Sequence, residues 1–129
     1  MARVFNLVVF DQVISGDASA PPVFYTSQEH AALLGSVERL QVQLIMRGAS
    51  GFTASATVEY QFTNAPEYDT WATSSVGKTV SAGSANNLPA VTFMQITSPS
   101  DQGAYGRFRI TSPNNVSLQL QVVVAGYSD

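Results

Sequence analysis

The sequence predicts an all-β protein, an antiparallel β-sandwich or jelly roll of about seven to eight strands. Short runs of alternating apolar and polar residues recur along the chain, and a period of two residues indicates a half-buried strand. Clusters of Gly, Pro, Asn and Ser separate these runs at regular intervals, as turns do. Neither a long helical period nor a repeat or linker divides the 129 residues, so we expect a single domain over residues 1–129.

The first strand is predicted in "RVFNLVVFDQVI", a run dense in β-branched and aromatic residues. The loop "SGDASAPP" follows, and it separates this strand from the main sheet. Residues 1–22 therefore form either an edge strand of their own domain or an N-terminal arm that lies on a neighbouring subunit. The next run, "VFYTS", predicts a short extended segment, and "QEHAALLG" fits either one helical turn or the start of a strand.

The centre of the chain has the clearest alternation. In "SVERLQVQLIM", the face that begins at Glu38 and ends at Met46 is assigned to the core. The glycine turn in "RGASG" and the run "FTASATVEYQFT" then predict an antiparallel hairpin between residues 40–46 and 57–63. The side chains expected to point inward are Leu40, Val42, Leu44, Val58, Tyr60, Phe62, Phe108, Ile110, Leu118, Leu120 and Val122.

The second half of the chain follows the same pattern. The segment "ATSSVGKTVSAGSANN" predicts a loop with a short edge strand at "KTVSA". The runs "AVTFMQIT", "YGRFRIT" and "VSLQLQVVVAGY" alternate and are separated by the turns "SPSDQGA" and "SPNN". These three runs predict the last strands of the sandwich.

The composition excludes several classes of partner. Only 12% of the residues are charged and the net charge is −3, so no basic patch exists to neutralise a phosphate backbone and we expect no nucleic acid as partner. No apolar segment reaches the length of a bilayer span or resembles a secretory leader, so we expect no membrane partner and synthesis in the cytoplasm. A surface covered by neutral polar groups suits packing against other subunits.

No arrangement of residues predicts catalysis. His30 is the only histidine and no nucleophile-elbow pattern accompanies it. The nine carboxylates are dispersed, and there is no cysteine, so no spacing typical of a metal site is present. The "GKT" at Gly77–Thr79 lacks the upstream glycine of a phosphate-binding loop. We therefore expect a protein that is not an enzyme, with no catalytic residue, cofactor or metal.

The stretch "VEYQFTNAPEYDTW" begins as a strand and ends in a polar turn closed by the only tryptophan. Tyr60 and Phe62 alternate with polar residues and are expected in the core. Tyr68 and Trp71 fit two interpretations, a sugar-binding platform or a corner of the fold. We favour the corner, in which the Trp71 ring folds over the end of the sandwich and its indole N–H meets a loop carbonyl.

The pattern of "VEYQFTNAPEYDTW", "GAYGRFRIT" and "SLQLQVVVAGY" resembles that of small bacteriophage virion structural proteins. In that family a strand leads to a polar loop ending in Trp, and a later strand with two arginines precedes a final apolar strand. The resemblance covers roughly residues 37–127. It implies a capsid-associated β-sandwich or jelly roll, such as a cement or decoration protein, with no active site to carry over.

We therefore expect a virion structural protein, made in the host cytoplasm, that stabilises a shell through contacts with copies of itself and with a major capsid protein. The alternative is a carbohydrate-binding module or lectin-like β-sandwich. Two groups of residues are predicted to make the contacts, the apolar side chains of the first strand and the aromatic loop. They are Val4, Phe5, Leu7, Val9, Tyr68 and Trp71.

Overall fold

A computed structural model describes residues 2–15, 23–49, 55–81, 88–112 and 117–128. Within these ranges the chain forms eight strands, one short helix and three single 3₁₀ turns at Gln28–His30, Pro66–Tyr68 and Pro99–Asp101. The strands and the helix are β1 (Ala2–Ser15), β2 (Val23–Tyr25), α1 (Ala31–Gly35), β3 (Arg39–Ala49), β4 (Ser55–Thr63), β5 (Ala72–Ser81), β6 (Ala90–Ile96), β7 (Tyr105–Thr111) and β8 (Ser117–Ser128).

The strands form two four-stranded sheets, with the orders β1-β8-β3-β6 and β2-β7-β4-β5. All pairs are antiparallel. The first strand pairs with the eighth, the second with the seventh, the third with the sixth and the fourth with the fifth, as in one long hairpin rolled into a sandwich. This is the strand order of a jelly roll. The predicted all-β class is thus confirmed.

The core lies between the two sheets and is built from alternate residues of the central strands. Leu40 through Met46 on β3 and Leu118 through Val124 on β8 bury every second side chain. On the facing sheet, Tyr60 and Phe108 are cross-strand partners whose ring centroids lie 5.1 Å apart. The predicted inward residues are buried, except that Phe62 at the end of β4 is only partly buried against the core.

The helix α1 lies against β7, with Ala31 and Leu34 buried. A side chain at Gly35 would overlap the backbone carbonyl of Ala104, so this close approach requires glycine. Together with the 3₁₀ turn before it, α1 shows that "QEHAALLG" is helical rather than the start of a strand.

The predicted hairpin between residues 40–46 and 57–63 is wrong. Strand β3 pairs with β6 and β8, whereas β4 pairs with β5 and β7, so the two strands lie in different sheets. Each strand buries one face whichever neighbour it has, and alternation therefore does not identify the partner. The turn in "RGASG" lies partly outside the described residues.

Two smaller expectations also need correction. Glu38 is exposed and Val37 is buried, because β3 begins only at Arg39 and the alternation does not extend before it. The segment after Trp71 is not mainly a loop, since residues 72–81 form the edge strand β5. Polar Ser and Thr residues suit such a strand because its outer face is exposed to solvent.

Candidate functional site

The outer faces of the two sheets differ in chemistry. On the β2-β7-β4-β5 sheet the outward side chains of β4 and β7 are charged or amide-bearing and bonded across the strands. We call this surface the network face. Its basis is the alternation of "YGRFRIT", which buries Phe108 and directs Arg107 and Arg109 outward.

Arg109 and Glu59 form the shortest ion pair of the network face. They are directly opposite each other on β7 and β4, and Nη2 of Arg109 donates to Oε1 of Glu59 at 2.6 Å. The hydrogen bond that Arg109 donates to Glu59 raises the pKa of Arg109. About a third of each side chain is exposed (34% and 29%), so the pair mainly orders the surface.

The side chain of Arg107 has more partners than that of Arg109 and is less exposed (16% against 34%). Its Nε donates to Oε1 of Gln61 at 2.8 Å, and the amide of Gln61 donates onward to the hydroxyl of Thr73 at 3.2 Å. Its guanidinium carbon lies 4.1 Å from the centroid of the Tyr25 ring and 4.3 Å from that of Trp71. Burial lowers the pKa of Arg107. Tyr25, Arg107 and Trp71 form a layered cluster, which we call the arginine stack.

Trp71 lies between the 3₁₀ turn Pro66–Tyr68 and β5, and its ring contacts Arg107 of the network face. The turn that precedes it contains Asp69 in the left-handed conformation (φ 52°), and the carboxylate of Asp69 lies 3.8 Å from Nη1 of Arg107. The half-buried Trp71 ring packs against a charged side chain of the network face. Tyr68 is 76% exposed. Arg107 contacts the rings of both Trp71 and Tyr25, so it links Trp71 to Tyr25 and not to Tyr68.

The outer face of the β1-β8-β3-β6 sheet is partly apolar, and Arg3, Asp11 and Arg39 are charged residues on it. The strand registers align Val8, Val123, Gln43 and Phe93 in one row across the four strands. Phe93 is 57% exposed and Val8 is 44% exposed. The neighbouring row ends on Val91, also exposed. We call this surface the apolar face. Glutamines of β3, β6 and β8 occupy several of its remaining positions.

Strand β1 forms one edge of the apolar face and contains four of the predicted contact residues. Val4 is exposed, Phe5 and Leu7 are partly buried against the core, and Val9 is buried. Residues 2–15 pair with β8 of the same chain, which is the edge-strand arrangement. Residues 16–22, the rest of the segment treated as an arm or edge strand, lie outside the described residues.

Sequence reasoning missed several exposed apolar residues of this sheet. Val8 and Val13 face outward on β1, as does Phe93 on β6. Register shifts on β1 between Arg3 and Phe5 and between Val8 and Phe10 disturb simple alternation. The odd spacing of apolar residues in "RVFNLVVF" is the only signal of these bulges in the sequence.

Among the residues that the structure describes, the potential metal ligands do not gather into a site. Within the described ranges, no group of three or more His, Cys, Asp or Glu side chains is arranged to hold a metal ion. Nε2 of His30 lies 3.5 Å from Oε1 of its neighbour Glu29. In the same part of the chain, no helix is long and apolar enough to cross a membrane.

The chain was also compared with known proteins. None of the protein-family models matches it, and none of the curated proteins matches it in sequence.

Proposed function

We propose that this chain is a virion structural protein, a cement or decoration subunit that stabilises a shell by packing against copies of itself and a major capsid protein. One observation carries the proposal. Exposed large apolar side chains concentrate on β1 and β6, the two edge strands of the apolar face. The outward polar groups of the network face, in contrast, bond to one another.

An exposed apolar surface of this kind is typical of a protein contact site. Gln43 and Gln95 beside Phe93 supply uncharged hydrogen-bonding groups, so a partner can cover this part of the face without burying an ion. The jelly-roll order is shared by capsid domains and lectins, and the resemblance to phage virion proteins favours the first. We propose that the protein is made in the host cytoplasm and resides in the virion.

The proposal is tested by mutating two exposed aromatic residues. Phe93→Lys places a charge on the apolar face, and Tyr68→Lys places the same charge on an aromatic residue of the turn before β5, which is 76% exposed. In mass photometry and sedimentation, the unmodified chain and Tyr68→Lys should form the same assemblies, whereas Phe93→Lys should fold normally and form smaller ones. An unmodified chain that remains monomeric at high concentration and binds no phage shell would contradict the proposal.

A second candidate function is carbohydrate binding. The arginine stack leaves Tyr25 46% exposed beside hydrogen-bonding groups of Arg107 and Gln61, and aromatic faces of this kind stack on sugar rings. Binding on a glycan array that is lost in both Tyr25→Ala and Trp71→Ala, and retained in Phe93→Lys, would favour this candidate.

A further inference from the structure

Strand β1 has an unpaired edge. It ends the order β1-β8-β3-β6, so among the described strands only β8 pairs with it. The strand is 14 residues long, and several of its side chains are exposed and apolar. A long apolar edge strand presents free N–H and C=O groups to which another strand can pair.

Within residues 3–11 of β1, the outward positions are symmetric about Leu7. Residues opposite each other in an antiparallel pair share a face, and the register with β8 therefore identifies the outward residues. In residues 3–11 they are Arg3, Asn6, Val8 and Asp11, opposite Tyr127, Ala125, Val123 and Gln121, and beyond them Val13 and Ser15 also face outward. Counted from Leu7, the four positions within residues 3–11 lie one and four residues away on each side. One bulge also lies on each side of Leu7.

We propose that two copies of the chain pair their β1 strands antiparallel about a two-fold axis at Leu7, joining two four-stranded sheets into one continuous sheet. This rests on the proposed structural function and names the contact through which the first two copies meet. In this register Asn6 of one copy lies opposite Val8 of the other, and Arg3 lies opposite Asp11. A two-fold contact of this type closes on itself and uses the same patch twice.

The charges of β1 support this register. Arg3 and Asp11 are both exposed and are eight residues apart, roughly 26 Å along a strand, so they cannot pair within one chain. The two-fold arrangement brings them together twice, once at each end of the contact. Exposed ion pairs contribute little affinity, and like charges directly opposite each other are destabilising. The two pairs therefore select the register more than they hold the copies together.

The surface beside β1 can receive the partner strand. An open groove of about 400 Å³ lies between residues 8–12 of β1 and the segment that contains Tyr25 and His30. In the proposed register the inward residues Phe5 and Leu7 of the second copy lie next to this groove, where their half-exposed side chains are covered. Burial of these side chains supplies the affinity that the exposed ion pairs do not.

Charge reversal tests the register. Arg3→Glu and Asp11→Arg each place like charges opposite each other twice, and each should weaken self-association by roughly tenfold. The double variant should restore it, and so should an equal mixture of the two single variants, because each copy then meets the opposite charge in the other. Normal melting of each variant is the control for folding. Unchanged association in both single variants, or no recovery in the mixture, overturns the proposal.

Disulfide trapping gives a second measurement, because the chain contains no cysteine. Leu7→Cys places two thiols opposite each other at the proposed axis, while Val13→Cys places them far apart. Val13 is 67% exposed and Leu7 is half-buried, so random collisions favour the Val13 variant and the proposed pairing favours the Leu7 variant. Mild oxidation should yield covalent dimers mainly from Leu7→Cys, and the reverse preference overturns the proposal.

The two proposals fail in different ways. If Phe93→Lys reduces the size of the assemblies but Leu7→Cys forms no dimer and charge reversal has no effect, the β1 pairing is wrong and the structural function stands. If the unmodified chain neither associates nor binds phage shells, both the structural function and the β1 pairing are wrong.

Discussion

Tyr60 is the one large core residue whose polar group is both buried and without a partner among the described residues. Its hydroxyl has no hydrogen bond and points at Gly106, where any side chain would overlap the ring. The absence of a side chain at Gly106 therefore leaves room for the Tyr60 ring. A buried hydroxyl without a partner costs free energy of folding.

Replacing Tyr60 by phenylalanine should raise the free energy of unfolding by about 1 kcal/mol, because the unpaired hydroxyl is removed and the ring packing is kept. Chemical denaturation measures this difference, with Tyr68→Phe on the exposed turn as the matched control that should change nothing. A Tyr60→Phe variant less stable than the unmodified chain would show that the hydroxyl is satisfied in solution.

The same residue predicts a dependence on alkaline pH. Burial raises the pKa of Tyr60, while in the unfolded chain the phenol ionises near its ordinary pKa of about 10. The unfolded state therefore releases a proton above about pH 10 that the folded state keeps, and the chain loses stability as pH rises from there towards the folded pKa. The stability advantage of Tyr60→Phe should be constant below pH 9 and widen above about pH 10.

Arg107 covers the Trp71 ring, and Trp71 is the only tryptophan. Arg107→Ala removes the guanidinium from one face of the indole and admits water, so tryptophan emission should shift to longer wavelength. Arg47→Ala, which removes an exposed arginine from β3 in the other sheet, should leave the emission unchanged. An equal spectrum in both variants would mean that the arginine stack does not persist in solution.

At the scale of single strands, the two faces of β3 should differ sharply in their energetics. Leu44 is fully buried and its neighbour Ile45 lies on the half-exposed outer face. Leu44→Ala should cost about 2 to 5 kcal/mol of stability, and Ile45→Ala much less, when both are measured at concentrations where the chain is monomeric. Similar losses in the two variants would contradict the assigned faces.

Strand faces were predictable and strand partners were not. Alternation placed Leu44 and Leu120 in the core because the side-chain period of a strand is two residues. It carried no information on why β3 joins β6 and β8 instead of β4, since the pairing depends on contacts distant in sequence. The bulges of β1 and the arginine stack depend on the same distant contacts, because Arg107 meets Tyr25 and Trp71 only through the fold.

At the scale of the whole molecule, the jelly roll separates two kinds of surface. Polar side chains of the network face hydrogen-bond to one another. The apolar face exposes Val8 and Phe93 and ends at the unpaired edge of β1. From composition we expected a protein with few charges that packs against other subunits. The side of the sandwich that we propose for this packing follows only from the registers that align Val8 with Phe93.

We propose that copies associate through the β1-β8-β3-β6 sheet while the network face stays outside the contact. Hydrogen–deuterium exchange compared between dilute and concentrated protein tests it most directly, because unpaired edge amides exchange fast until another strand covers them. We predict that amides in residues 3–11 of β1 gain protection on concentration, and that those of β5, the edge strand of the other sheet, do not. Protection gained in β5 alone, or in neither edge strand, would contradict the account.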